Sequence, residues 1–389
     1  MDLKARMVAR VDELADLLVE TSHDIHEHPE LAFEEHHAHE VLTAALEREG
    51  IDVTRAAFGM DTAFDATVGD EGPVVAVCLE YDALPGVGHA CGHNIIATAG
   101  LGASLAAAAL AADAGGRVRI LGTPAEERGG GKEVAIRAGA LEGVDVAMMI
   151  HPADADLLSM DAIAVVEMAV EFFGEAAHAA AFPHLGKNAL DAAVLAYNNV
   201  AALRQHIEST DRIHGIFRKG GDRPNIVPEH TTMEWMVRSL TREGLQPLQE
   251  RVTACFEAGA QATGCRCEHR EAFPPYDEMI DNRTMLELYA ANVASLGRPA
   301  AAPVPDRRVV GSTDMGNVSK VVPAIHPMIQ VAPAGISIHS HEFARHARSA
   351  AGDEAVVLGA KAMAMTIADL WTSPDAVTTA RSELAAARG

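Results

Sequence analysis

The residues best suited to chemistry fall in a few short motifs. The densest is Glu80-Tyr81-Asp82-Ala83-Leu84-Pro85-Gly86-Val87-Gly88-His89-Ala90-Cys91-Gly92-His93-Asn94. Cys91 and His93 are separated by one glycine just ahead of a helical stretch, so both can face one point. Thiolate and imidazole are first-rank ligands for transition metals. Glu126-Glu127 follows Gly122-Thr123-Pro124-Ala125. Adjacent carboxylates repel unless positive charge sits between them, and a pair of metal ions supplies it. One carboxylate can then ligate while its neighbour takes a proton from water. His151 ends an apolar run ahead of Pro152, and His339 follows a later run in the same manner, with His341 two residues on and His326 nearby.

These residues need elements that bring them together. Val8, Val11, Leu14, Leu17 and Leu18 recur at helical spacing, and a second helix pattern covers 34–48. A buried strand is expected over 74–79, a helix of small residues over about 94–112, a strand over 117–121 and an apolar run over 145–150. Strands alternating with helices indicate an α/β layer with a mostly parallel central sheet. In such a sheet the carboxyl ends of the strands share one edge, where ligands bind. Asp82, Cys91, His93, Glu126, Glu127, His151 and His339 all lie just past predicted strand ends. That convergence is what carries the reading.

A second texture occupies the middle of the chain. Strands are expected over 165–173, 212–217, 231–240 and 266–272, with helices over 189–206 and 245–262. The order β-α-β-β-α-β is that of a ferredoxin-like α+β unit. The α/β pattern then resumes with a helix over 284–295, a strand over 324–331 and a helix over 353–371. The simplest architecture is a catalytic domain of residues 1–163 and 277–389, interrupted by an inserted domain of residues 164–276.

Composition excludes several classes. Thirty-one Lys and Arg against 55 Asp and Glu give a formal charge of −24. A nucleic-acid binder needs a basic footprint, and docking on anionic lipid needs one too. The chain start is charged, no eighteen apolar residues run together, and five cysteines do not make a disulfide framework, so a reduced, cytoplasmic enzyme is expected. No Gly-x-Ser-x-Gly elbow supports a serine hydrolase. Gly129-Gly130-Gly131-Lys132 fails the phosphate-loop spacing, because Glu126 stands where the first glycine belongs and Glu133 where Ser or Thr does. We read it as a hinge or loop beside the metals. The histidines crowding 23–39 read as solvated surface.

The sequence resembles the dinuclear-metal amidohydrolases that include aminoacylases, carboxypeptidase G and p-aminobenzoyl-glutamate hydrolase. The resemblance runs from His26-Glu27-His28-Pro29-Glu30-Leu31 through the motifs above to Gly174-Glu175-Ala176-Ala177-His178, Asn225-Ile226-Val227-Pro228 and Gly311-Ser312-Thr313-Asp314-Met315-Gly316-Asn317. It implies a metallo-exopeptidase-like catalytic domain with a ferredoxin-like lid that also dimerises. It further implies that Cys91, His93, Glu127, His151 and His339 hold two divalent ions, Mn or Zn, with Co and Ni as alternatives. Glu126 would be the general base, Asp82 would orient a ligand, and His178 on the lid would stabilise the oxyanion. Asn225 and Arg238 would hold a substrate carboxylate. Two departures stand out: Glu80 occupies a position where many relatives carry His, and Asn94 one where relatives carry Asp.

The expected reaction is hydrolysis of an N-acyl amino acid or dipeptide-like amide, of the aminobenzoyl-glutamate or β-alanyl-dipeptide type, by metal-activated water. Hydrolytic deamination of an aromatic amine needs the same metal edge and stays open at this point. Partners are a small carboxylate-bearing amide and a second copy through the lid, with neither nucleic acid nor membrane. The charge of −24 opposes anionic substrates at long range. Screening limits that reach to about 8 Å at physiological salt, so local cations decide.

Overall fold

The computed structural model describes residues 2–302 and 311–388. Asp2 caps the first helix by accepting from Ala5 N at 2.9 Å, and α1 (Leu3–Glu27) buries Met7, Val11, Leu14, Leu18 and Ile25 along one stripe. Then follow α2 (His36–Arg48), β1 (Thr54–Arg55), β2 (Phe64–Val68), β3 (Val74–Leu79), α3 (His93–Ala114), β4 (Arg117–Gly122), α4 (Gly131–Arg137), β5 (Val146–Met148) and β6 (His151–Ala153). In β3, Val75, Val77 and Leu79 face one core while Val74, Ala76 and Cys78 face another, which is why the strand reads as unbroken apolar sequence.

The chain divides into two compact units, and the second comprises Ile163–Glu278. It runs β7 (Ala164–Phe173), α5 (Ala189–Leu203), β8 (Arg212–Lys219), β9 (His230–Ser239), α6 (Arg242–Thr263) and β10 (Arg266–Glu271). The sheet is antiparallel in the order β10-β7-β9-β8, the ferredoxin-like arrangement. Along β9, Thr231, Met233, Trp235 and Val237 are buried in alternation, and Trp235 packs with Phe256 of α6.

The first unit resumes with α7 (Arg283–Ser295), α8 (Met315–Val321), β11 (Ala324–Ile325), β12 (Met328–Gln330), α9 (His341–His346), α10 (Ala350–Thr372) and α11 (Pro374–Ala387). Its main sheet is ordered β1-β2-β4-β3-β5-β11, with β4, β3, β5 and β11 parallel and β2 antiparallel to β4. The strand expected over 324–331 is broken at His326-Pro327. Its first part joins the main sheet, and its second pairs with β6 in a separate two-stranded ladder. The antiparallel edge of β1 and β2 carried no expectation from the sequence.

Helices α3 and α10 are long and apolar enough to cross a membrane by length and composition, yet both are core helices here. Small residues let α3 in. A Cβ on Gly102 would meet Leu18 of α1 at 2.5 Å and Ala360 of α10 at 2.9 Å.

Gly259 plays the same part between α5 and α6, where an added Cβ would lie 2.5 Å from the Ala192 carbonyl oxygen and 2.8 Å from Ala196 N. Gly259→Ala gains about 1 kcal/mol in helix propensity. Overpacking against backbone costs about 1–3 kcal/mol. A lowered melting temperature is expected by calorimetry, and an unchanged or raised one would show that the helices separate freely.

Candidate metal centre

The main sheet delivers its chemistry at one edge. Glu80 and Asp82 leave β3, Ala125-Glu126-Glu127 leave β4, and His151 opens β6. Cys91 and His93 flank Gly92, whose φ is +79° and whose Cβ would strike the Pro152 ring at 2.8 Å, so glycine is required there. His93 is the first residue of α3, where the helix presents its partial positive end.

Both buried histidines are anchored through Nδ1. His93 Nδ1 donates to Asp82 Oδ1 at 2.9 Å, and His151 Nδ1 donates to the Pro152 carbonyl at 2.7 Å. Each ring therefore offers its Nε2 lone pair inward, the arrangement of metal-ligating histidines. Cys91 Sγ lies 3.4 Å from His151 Nε2 and 3.4 Å from His339 Nε2. His339 Nε2 is also 3.4 Å from Glu127 Oε1. Two of the pocket's three-donor groups contain Cys91, namely Cys91/His93/His151 and Cys91/Glu127/His339, and a third is Glu80/His93/Glu126, each with its donor atoms within 4.8 Å of one another. The first two form a pair that shares the thiol. His341 begins α9 and belongs to none of these groups.

The donor set fits divalent ions on a further ground. His93 Nε2, Glu80 Oε2 and Glu127 Oε1 are buried with no hydrogen-bond partner among the described residues. His93 Nε2 faces Glu80 Oε2 at 3.7 Å, Glu126 Oε2 at 3.8 Å and Glu127 Oε1 at 3.9 Å. Burial alone would lower the His93 pKa, but Asp82 and Cys91 carry it well above the ordinary imidazole range. The pocket thus favours positive charge on this ring. Softness of the thiolate and imidazoles favours a transition metal there.

The adjacent glutamates are driven apart. Burial, then the charges of Glu80 and Glu127, push the Glu126 carboxyl well above its usual range. Burial would raise Glu127 too, yet the His339 ring 3.4 Å away and the charge of His93 hold it low. Two carboxylates with opposed environments are the mark of divided roles. Burial, then the nearby His93, brings His151 down to about 4, so its ring is neutral.

Sequence reasoning missed a buried ion cluster beside these groups. Lys132, expected in a loop, is the second residue of α4 and fully buried. Its Nζ pairs with Glu80 and lies 2.7 Å from Asp314 Oδ1, while its backbone N donates to Asp314 Oδ2 at 2.8 Å. The tight Gly-Gly-Gly turn that admits it is visible in sequence; its partners are not. His326 lies behind His151, ring centres 5.3 Å apart, with burial lowering its pKa well below the ordinary value.

In the second unit, His178 and Asn225 sit on paired segments. His178 bridges Ile226, and Ala179 N donates to the Asn225 carbonyl at 3.1 Å. His178 Nδ1 accepts from Ala180 N and Ala181 N, which leaves Nε2 to carry the proton. Arg238 is elsewhere. The register pairs Val165 with Arg238 and Phe173 with His230, so Arg238 lies at the far end of β9 from the His178 loop. Eight residues of strand span about 26 Å. One copy of this unit therefore sets Asn225 and Arg238 apart along the sheet.

The chain matches a family model described as peptidase family M20/M25/M40 over residues 60–369. A mouse (Mus musculus) Xaa-Arg dipeptidase is 40% identical, over 98% of this chain and 92% of the relative. The Homo sapiens Xaa-Arg dipeptidase is 38% identical, over 96% and 90%. A component chain of the Escherichia coli p-aminobenzoyl-glutamate hydrolase is 30% identical, over 89% and 87%. Among solved structures, an aminobenzoyl-glutamate utilization protein from Klebsiella pneumoniae superposes with a TM-score of 0.75 at 19% identity, covering 92% of this chain and 97% of that one. A dinuclear metal-binding peptidase of Bacillus subtilis gives 0.68 at 21%, covering 92% and 98%. Both share the fold.

Lys132→Met would leave Glu80 and Asp314 buried without their cation, a loss of about 3–5 kcal/mol. Adding Glu80→Gln and Asp314→Asn should recover most of it. Denaturant titration of the single and triple variants checks this, and a single variant as stable as the parent would refute the pairing.

Proposed function

Because the chain belongs to the M20/M25/M40 peptidases, a family of metal-dependent amidohydrolases and dipeptidases, we propose that it cleaves the amide bond of a small dipeptide-like substrate. The observation that carries this reading is the pair of three-donor groups sharing Cys91, with the carboxyl of Glu126 beside them. We assign one ion to Cys91, His93 and His151 and the other to Cys91, Glu127 and His339. Thiolate softness points to Zn, while imidazole and carboxylate also suit Mn. When bound, such ions lower the pKa of water toward about 7 and polarise the amide carbonyl.

The chain's own residues do the rest. Glu126, whose Oε2 lies 3.8 Å from His93 Nε2, takes the proton of the attacking water and returns it to the leaving nitrogen. Asp82 fixes the His93 ring through Nδ1 and accepts from Glu127 N at 2.9 Å, so one carboxylate orients two ligands. His178 is assigned the developing oxyanion, where a preorganised donor is worth about 3–4 kcal/mol. Arg238 and Asn225 are assigned substrate binding, and the inserted unit the contact between two copies.

For the substrate we favour a dipeptide with a C-terminal arginine. Two relatives that match almost the whole chain are Xaa-Arg dipeptidases.

The test is product analysis by mass spectrometry on metal-reconstituted protein. The panel holds Xaa-Arg, Xaa-Lys and Xaa-Glu dipeptides, β-alanyl dipeptides, p-aminobenzoyl-glutamate, N-acetyl amino acids and aminobenzoates. Free arginine is expected as the fastest product. Ammonia with a hydroxylated ring would instead select aromatic deamination, and silence across the panel would sink the amide assignment. Glu126→Gln should lower kcat by about 10²–10⁴-fold with metal content unchanged. Retained turnover would remove Glu126 as the base.

A further inference from the structure

The residues 29–35, between α1 and α2, touch the segments that leave β3 and β4 at three points. The Glu30 carbonyl accepts from Ala83 N at 2.8 Å, one residue beyond Asp82. Phe33 packs against Gly129, so closely that a Cβ there would stand 2.5 Å from the ring. Glu35 reaches furthest. Its side chain is fully buried, with Oε1 accepting from Ala125 N at 2.9 Å and Oε2 from Thr62 Oγ1 at 2.8 Å.

Ala125 is the residue that such a contact would need to restrain. Its φ is +60°, in the left-handed region that costs a residue with a Cβ about 1 kcal/mol or more, and it directly precedes Glu126-Glu127. Its carbonyl is tied as well, accepting from Gly130 N at 3.0 Å. Two residues on, Glu127 N is held by Asp82. The left-handed residue turns the chain so that two consecutive carboxyls point into one pocket, where a regular strand exit would send them to opposite sides. A glycine at 125 would accept this conformation freely; an alanine needs the hold.

We propose that Glu35 is a positioning residue for the proposed hydrolysis, its buried carboxylate clamping the left-handed Ala125 so that Glu126 and Glu127 face the metal pocket. This rests on the function proposed above for its catalytic consequence, and on the geometry alone for the clamp. The clamp requires an acceptor at Ala125 N and a partner for Thr62 Oγ1. Glutamine at 35 provides both, its carbonyl accepting and its amide donating; alanine provides neither.

The experiment compares Glu35→Ala, Glu35→Gln and Thr62→Val with the parent. Hydrogen exchange is followed by mass spectrometry on a peptide spanning 123–131 in the metal-free protein, and kcat and KM are measured on the best amide after metal loading. Glu35→Ala should speed exchange in that peptide about 10-fold or more and lower kcat by about 10- to 100-fold, with KM within about 2-fold. Glu35→Gln should restore both to near parental values. Thr62→Val, which frees one arm of the carboxylate, should fall between. Parental exchange in Glu35→Ala would overturn the clamp, and so would a Gln variant as impaired as the Ala variant. If Glu35→Ala fails to fold, the Gln and Thr62→Val variants still decide by the same two readouts. A parent that hydrolyses no amide defeats the proposed function, while the exchange comparison continues to test the clamp.

Discussion

Glu80, Asp82, Glu126, Glu127 and Asp314 gather at the carboxyl ends of β3 and β4 and the start of α8, largely out of contact with solvent. Isolated carboxylates in such surroundings would cost several kcal/mol each. Lys132 offsets two of them, the His93 ring another, and the amino end of α3 adds partial positive charge. The remainder is left for a cation from outside the chain. Much of the local architecture follows from this shortage of positive charge. Gly130 and Gly131 make the tight turn that starts α4 and carries Lys132 inward, and a Cβ on Gly131 would meet the Pro124 carbonyl oxygen at 1.8 Å.

Backbone conformation serves the same end. Ala125 and His339 are both non-glycine residues at positive φ, and both stand at the pocket. His339 is held there by its N–H to the Ala90 carbonyl at 2.8 Å, the residue before Cys91. The two halves of the shared-thiol arrangement are thus joined through backbone as well as side chains. Strain of this kind persists only where surrounding structure over-determines it.

How much of this is legible in the sequence depends on distance along the chain. Cys91, His93, Glu126 and His151 follow strands of a parallel sheet, so one topological rule brings them to the same edge, and the structure agrees. Lys132 and Asp314 escape that rule. Each reads alone as an ordinary charged residue, and only the packing of α4 against α8 reveals that they neutralise one another. Glu35 looks like the exposed start of an amphipathic helix, because nothing local announces that Thr62 and Ala125 converge on it. The separation of Asn225 from Arg238 depends on strand register, which spacing along the chain does not fix. Pro327 splits an apolar run that hydropathy joins.

The inward-facing lone pair of His93 has a consequence for the molecule in changing surroundings. The nitrogen that would bind a metal belongs to a ring whose proton Asp82 and Cys91 hold more tightly than an ordinary imidazole holds it. Proton and metal are therefore rivals for one seat, and uptake of one expels the other.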